Sequence, residues 1–211
     1  MSSPPTLPRA QQARSRRTQQ QILDAGTSLL EEGGAEALTV AAVAARAGVA
    51  VGSVYRRFGD KDRLLAALQH DMIDQFRADI IERFTPIATD PASLVAAAVV
   101  GLTETYEAHE RLMQVFMTAG ASDAAVAHVG SQASIDAGKV FLKFLEPVTV
   151  CVPSPDPETR LDFIYRLICG TCAHRIVNGE KFESERALPW KKLTEELVTV
   201  ARSYLLGEGW H

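Results

Sequence analysis

Residues 39–61 read TVAAVAARAGVAVGSVYRRFGDK, and this stretch decides the fold. Thr39 is a hydroxyl cap ahead of Val40, Val43, Ala44 and Ala47, whose spacing of three and four marks one face of a short helix. Gly48 ends that helix by supplying the positive φ of a turn, and a second short helix is predicted over about 51–58. Two short helices joined through a glycine make a helix-turn-helix. Ala44 is small where the helices cross, and Val49 and Val54 fill the space between them. The second helix presents Val51, Gly52, Ser53, Tyr55, Arg56 and Arg57, small, hydroxylated and basic side chains with no acid among them. Such a surface suits a DNA duplex.

The stretch resembles the DNA-binding domain of the TetR family of bacterial transcriptional regulators, over about Arg17 to Leu68. The matching landmarks are the Thr39 cap, the Ala47-Gly48-Val49 turn, the Gly52-Ser53-Val54-Tyr55 segment, Phe58, and the Lys61-Asp62-x-Leu64-Leu65 opening of a fourth helix. By that resemblance Thr39, Ser53, Tyr55 and Lys61 touch phosphates, and Val51, Gly52 and Arg56 face base edges. The chemistry agrees, since hydroxyls and a helix N-terminus suit phosphate oxygens. Arg56 or Arg57 can take a guanine edge bidentately, worth about 1 to 3 kcal/mol of discrimination. Two positions depart from the pattern. Ala50 stands where a Ser or Thr usually caps the recognition helix, and Ala42 stands where a capping box wants Glu or Gln.

Charge is divided unequally along the chain. Residues 1–67 hold nine Lys or Arg against six Asp or Glu, a net +3, and residues 68–211 hold 13 against 20, a net −7, which together give the overall −4. The front is therefore the candidate polyanion-binding unit. Residues 1–16 are rich in Pro, Ser, Gln and Arg and are expected to form a disordered basic arm. Arg16 and Arg17 join the DNA-binding set, with a solvated tail without a partner as the lesser alternative for the arm alone. The expected domains are 17–68 for DNA binding and 69–211 for ligand binding and dimerisation.

The remaining sequence reads as all-α, about nine helices in total. Apolar residues recur at three and four, without a run of strict alternation. A first helix is predicted over about 17–32, ended by Gly33-Gly34. Gly26 inside it points to a close helix crossing. Further helices are expected from Lys61 to about Phe84, from Asp90-Pro91 to about Ala108, over 109–119, 122–145, 158–178 and 190–206. Pro147 to Pro157 reads as a loop.

In the family the resemblance names, the rest of the chain binds a small effector and dimerises. Met113, Phe116 and Met117 on one short helix face Phe141 and Phe144 on another, with His128 as a polar group, and are the candidate lining of a mostly apolar effector pocket. Plain core packing accounts for the same stripe. The helix over 158–178 is apolar on two sides: Leu161, Ile164, Tyr165, Ile168, Cys172 and Ile176 form one, Phe163, Leu167 and Gly170 another. Because two half-sites need two reading helices, a homodimer is expected, with Leu161, Tyr165, Ile168, Cys172, Leu197 and Tyr204 assigned to its interface.

The sequence offers little to other functional classes. Cys169-Gly-Thr-Cys172 lies mid-helix rather than at the helix N-terminus a reactive pair needs, and lacks the further ligands of a zinc site. No cofactor or metal is expected. A glycine-rich phosphate loop, a His-Glu-x-x-His and a nucleophile elbow are all missing, which argues against an enzyme. A helical-bundle enzyme and an effector-independent DNA-binding protein stay open as alternatives. The odd count of three cysteines and the lack of an apolar span of about 18 residues point to the cytoplasm.

Overall fold

The computed structural model describes residues 9–84, 90–182 and 184–207. The chain divides into two compact units, 1–72 and 73–211, so the break falls inside the fourth helix. All regular structure among the described residues is helical.

The front unit holds α1 (Arg9–Ala37), α2 (Val40–Ala47), α3 (Val51–Phe58) and the first half of α4 (Lys61–Arg83). Ile22, Leu23, Ala25, Leu29 and Leu30 of α1 are buried with Leu38, Val43, Ala44, Val54, Phe58, Leu64 and Leu68. Gly26 meets the expected close approach: a Cβ there would lie 2.8 Å from a methyl of Leu68 on α4. The helix does not start at Arg17. It begins at Arg9, so the described half of the expected arm is continuous with α1, and residues 1–8 lie outside the described set. Ala, Gln and Arg between residues 9 and 17 are good helix formers. At the other end α1 is interrupted rather than finished at Gly33 and Gly34, where Gly34 takes φ 64°.

The caps set the remaining boundaries. Thr39 Oγ1 accepts from the Ala42 amide at 3.1 Å and starts α2, and Gly48 ends it at φ 66°, ψ 33°. Ala50 brings no side-chain cap to α3. Asp60 accepts from the Arg63 amide at 2.8 Å, opening α4.

The body contains the second half of α4 with α5 (Pro91–Ala108), α6 (Glu110–Gly120), α7 (Ala124–Phe144), α8 (Pro157–Asn178) and α9 (Trp190–Leu206). Asp90, Asp123 and Asp156 cap α5, α7 and α8. Helix α7 thus begins two residues later than the expected 122. The stretch read as a loop contains a turn of 3-10 helix, Glu146–Cys151, which buries Val148. Small residues on α5 and α9 allow those helices to pack closely: Val95, Ala98, Val99 and Leu102 share one core with Leu193, Leu197, Ala201 and Leu205. The buried stripe of α8, Leu161, Ile164, Tyr165, Ile168, Cys172 and Ile176, completes it with Phe141 and Leu145 of α7.

Candidate nucleic-acid interface

Helix α3 separates its two tasks by face. Val54 and Phe58, four residues apart, are 1% and 9% exposed and anchor the helix to the front core. Val51, Gly52, Tyr55 and Arg56 point away from it, with Tyr55 52% exposed. An exposed valine and tyrosine four residues apart on one side of this helix suit an external surface. At Gly52 an added Cβ would meet nothing within 4 Å, so the glycine leaves the helix backbone open on this side.

The flanking polar residues are partly engaged. Arg56 donates to Ser53 Oγ at 3.2 Å, and half-buried Arg57 donates to the Ser53 carbonyl at 3.3 Å. Arg57 is therefore held along its own helix, whereas Arg56 leans from an exposed position. Lys61 Nζ donates to the Ala35 carbonyl at 3.0 Å, satisfying a carbonyl near the Gly33-Gly34 interruption of α1. Thr39 is exposed at the start of α2, with its hydroxyl turned to the Ala42 amide. Arg16 and Arg17 are exposed on the first turns of α1.

One contact here has no local signature in the sequence. Arg46 on α2 grips Glu32 on α1 with both terminal nitrogens, at 2.6 and 2.7 Å, and also donates to Ser28 Oγ at 2.7 Å. The Arg46 bond, followed by that of Ser28, holds the Glu32 carboxyl below the usual carboxylate range, and the same pairing raises Arg46. A bidentate pair fixes geometry as well as charge, so it sets α2 against α1.

In the body, Phe116 and Phe141 are buried, while Met113, Met117 and Phe144 are partly buried against the same core. Phe141 lies 5.4 Å from the Tyr165 ring, and Phe144 stacks at 4.9 Å on Phe84. His128 does not join them. It is exposed on the first half of α7, none of whose residues 124–136 is buried. The polar groups that do converge here are the phenols of Tyr106 and Tyr165 beside the Cys169 thiol, with the Tyr165 hydroxyl donating to the Ser134 carbonyl. Burial pushes Tyr106, Tyr165, Cys169 and Cys172 all upward, so the two thiols stay protonated at neutral pH. Neither has the thiolate character of a reactive cysteine.

The residues assigned to a dimer interface need correcting. Leu161, Tyr165, Ile168, Cys172 and Leu197 are buried in the core of their own chain and have no surface to offer a second copy. Tyr204 is exposed, and so are Phe163 and Gly170 on the other side of α8, with Leu167 half-buried between them. Both sides of α8 were legible as apolar, but a period alone does not say which one faces inward.

A helix-turn-helix with a cleanly divided reading helix defines a DNA-binding protein. The model for bacterial regulatory proteins of the tetR family matches residues 22–68, the whole of the helix-turn-helix with its flanking helices. It is 25% identical over 184 residues to the HTH-type transcriptional regulator BetI of Cronobacter sakazakii, covering 86% of this chain and 91% of that protein. To BetI of an Escherichia coli strain it is 35% identical over 81 residues, 38% of this chain and 42% of that one. In fold it is similar to a transcriptional regulator from Rhodococcus sp. Rha1, with TM-score 0.66, 21% identity and 89% and 96% of the two chains covered. A TetR-like regulator from Rhodococcus sp. RHA1 gives 0.60, 22%, 96% and 100%. No helix among the described residues is long and apolar enough to cross a membrane.

Proposed function

We propose that the protein is a dimeric repressor that binds palindromic operator DNA through α3 and is released by a small, mostly apolar effector held in the body. The carrying observation is the exposed, acid-free face of α3, Val51, Gly52, Tyr55 and Arg56, on a helix anchored by Val54 and Phe58. Tyr55, Ser53, Thr39 and Lys61 hold the phosphates, with Arg16 and Arg17 of α1 adding charge. Lys61 exchanges its Ala35 carbonyl for a phosphate oxygen at no net loss of a hydrogen bond. Arg56 reads a base edge and Val51 packs on a thymine methyl. Arg57 supports Ser53 rather than reading sequence, because its guanidinium is already engaged.

Apolar packing of Met113, Met117, Phe141 and Phe144, with the Tyr106 and Tyr165 phenols among them, suits an effector with a large apolar part. Helix α4 runs unbroken from residue 61 to 83 and belongs to both units, so a tilt of its second half is felt at its first. Operator must then weaken effector binding by the factor by which effector weakens operator binding.

The test is fluorescence anisotropy with a random 30-base-pair duplex and with a duplex enriched by the protein from a random library. Both affinities should fall steeply and linearly on a log–log plot against salt, as released counterions require. A protein that ignores both duplexes at low salt is not a DNA-binding regulator.

A further inference from the structure

A buried hydroxyl asks for a good acceptor, and the body holds two phenols whose hydroxyls can be given a better one. Tyr106 of α5 and Tyr165 of α8 are 5% and 7% exposed, and burial pushes both phenols up, so each keeps its proton to donate. The Cys169 thiol stands beside both, and a thiol is a weak acceptor. Tyr165 donates to the Ser134 carbonyl, which lies inside α7, where regular helix geometry already gives it the amide of residue 138. Either phenol can therefore turn to another oxygen without stranding a backbone group. The buried hydroxyls of Thr103 and Thr105, also on α5, have no such freedom. Thr103 is spent on the Val99 and Val100 carbonyls at 3.0 Å each, and Thr105 on that of Gly101 at 2.7 Å.

The surroundings decide what kind of molecule can carry that oxygen. Phe141 lies 5.4 Å from the Tyr165 ring, and the edge of Phe76 meets Tyr106 at 5.3 Å. Besides burial, the groups that bear on the Tyr106 proton are Cys169, Tyr165 and Cys172, all uncharged at neutral pH. Asp162 also bears on Tyr165, but it is held by Arg166 at 2.6 Å in a solvent-exposed pair. Among the described residues no Asp, Glu, Lys, Arg or His is buried. A carboxylate or ammonium group brought to the two phenols would meet no buried counter-charge, and an unpaired buried charge costs far more than a hydrogen-bonded neutral oxygen. The cover over the site is thin. Residues 124–136 of α7 are not buried, and beside Tyr165 that helix is built from Ala133, Ser134, Ala137 and Gly138. A Cβ at Gly138 would lie 2.8 Å from the Tyr165 ring, so α7 passes directly over the phenol.

We infer that the effector is an uncharged molecule with a carbonyl oxygen on an apolar chain, and that this oxygen takes the hydroxyls of Tyr106 and Tyr165 in place of Cys169 and Ser134. The inference rests on the reading of the body as an effector site and names the chemistry of what that site takes. The same two phenols place the oxygen where it can act. The Tyr106 ring meets Phe76 on the second half of α4, so a ligand that turns this phenol is felt by α4 through a single ring. Tyr165, on letting go of Ser134, removes a tie on the outer half of α7.

Isothermal titration calorimetry of the full chain with methyl octanoate, octanoate and octyltrimethylammonium, probes of matched chain length and different charge, tests this. The wild type should bind the ester about tenfold or more tightly than either ion. Tyr106→Phe and Tyr165→Phe, which remove only a hydroxyl, should keep the wild-type circular dichroism and each weaken the ester about tenfold, the scale of one buried hydrogen bond. The advantage of the ester over the ions should shrink with it, which a ring that merely packs would not cause. The ranking of the probes on the wild type decides the matter even where a variant fails to fold. An ion that binds more tightly than the ester, an ester whose affinity survives both substitutions, or equal losses for all three probes overturns the inference and leaves the effector reading standing. A wild type that binds none of the three up to their solubility limits overturns the apolar effector site itself.

Discussion

Helices α3 and α8 each present apolar residues on more than one side, and they divide them differently. Helix α3 has two turns, buries two residues and exposes Val51 and Tyr55. Helix α8 has six turns and buries a full stripe of six residues before anything is left over for its outer face. A short helix in a small unit needs only two anchors, so most of its surface is free for a ligand. A long helix through the middle of a body is used first by the core, and only the remainder can serve assembly. Substitutions should divide accordingly. On the buried stripe of α8 they should cost folding, and on the outer face of α3 they should cost binding alone.

The largest effect expected from this division is at the buried side. Ile168→Glu places a carboxylate at a position 1% exposed, and an unpaired buried charge costs several kcal/mol. The variant should lose its cooperative thermal transition. A folded monomer with a wild-type melting profile would instead return Ile168 to the interface and break the comparison. Phe141→Ala is milder, because it leaves a cavity rather than a charge. It should destabilise by about 3 to 5 kcal/mol in urea titration, with operator affinity unchanged for the fraction that remains folded.

On the outer face of α3 the signature reverses. Tyr55→Ala should leave the urea midpoint within experimental scatter, since surface changes are usually worth less than about 0.5 kcal/mol. It should weaken enriched and random duplexes by similar factors, about tenfold, as expected for a phosphate contact. Arg56→Ala should also flatten the ratio between the two duplexes. Equal losses on both duplexes for both variants would remove the distinction between holding and reading. A large drop in stability for Tyr55→Ala would show that α3 has no free face.

How much could be read from the sequence follows the same physics. Boundaries set by one residue and its immediate neighbours were legible: Thr39 as a cap, Gly48 as a stop, Asp90-Pro91 as a start. On α3, Val54 was legible as inward and Val51, Gly52, Tyr55 and Arg56 as outward, whereas Ser53 and Arg57, also read as outward, are half-buried. The start of α1 did not, because a polar Gln- and Arg-rich run reads as solvated whether it is helical or not. His128 failed for a tertiary reason. Its helix α7 is buried only from Gly138 onward, so being on a helix that contributes Phe141 did not bring it near that ring. Arg46 and Glu32, 14 residues apart on different helices, carry no pattern that announces their pairing.

That pair gives the smallest effect and the finest probe of the front unit. Glu32 has a lowered pKa in the folded protein, chiefly through Arg46 and then Ser28. A carboxylate whose folded value is depressed stabilises the fold fully above its unfolded pKa of about 4.3, and that contribution is lost as pH falls through the folded value. Wild type and Glu32→Gln should therefore differ slightly in melting temperature at neutral pH and converge in acid, and salt should shrink the gap because both side chains are exposed. Operator binding adds a second readout. If the clamp sets how α2 is placed on α1, Arg46→Ala should weaken both duplexes more than its small stability change explains, while Tyr55→Ala in the same background should lose less than it does alone. Strictly additive losses would mean that the clamp holds nothing that α3 uses, and that the buried anchors Val43, Val54 and Phe58 place the reading face unaided.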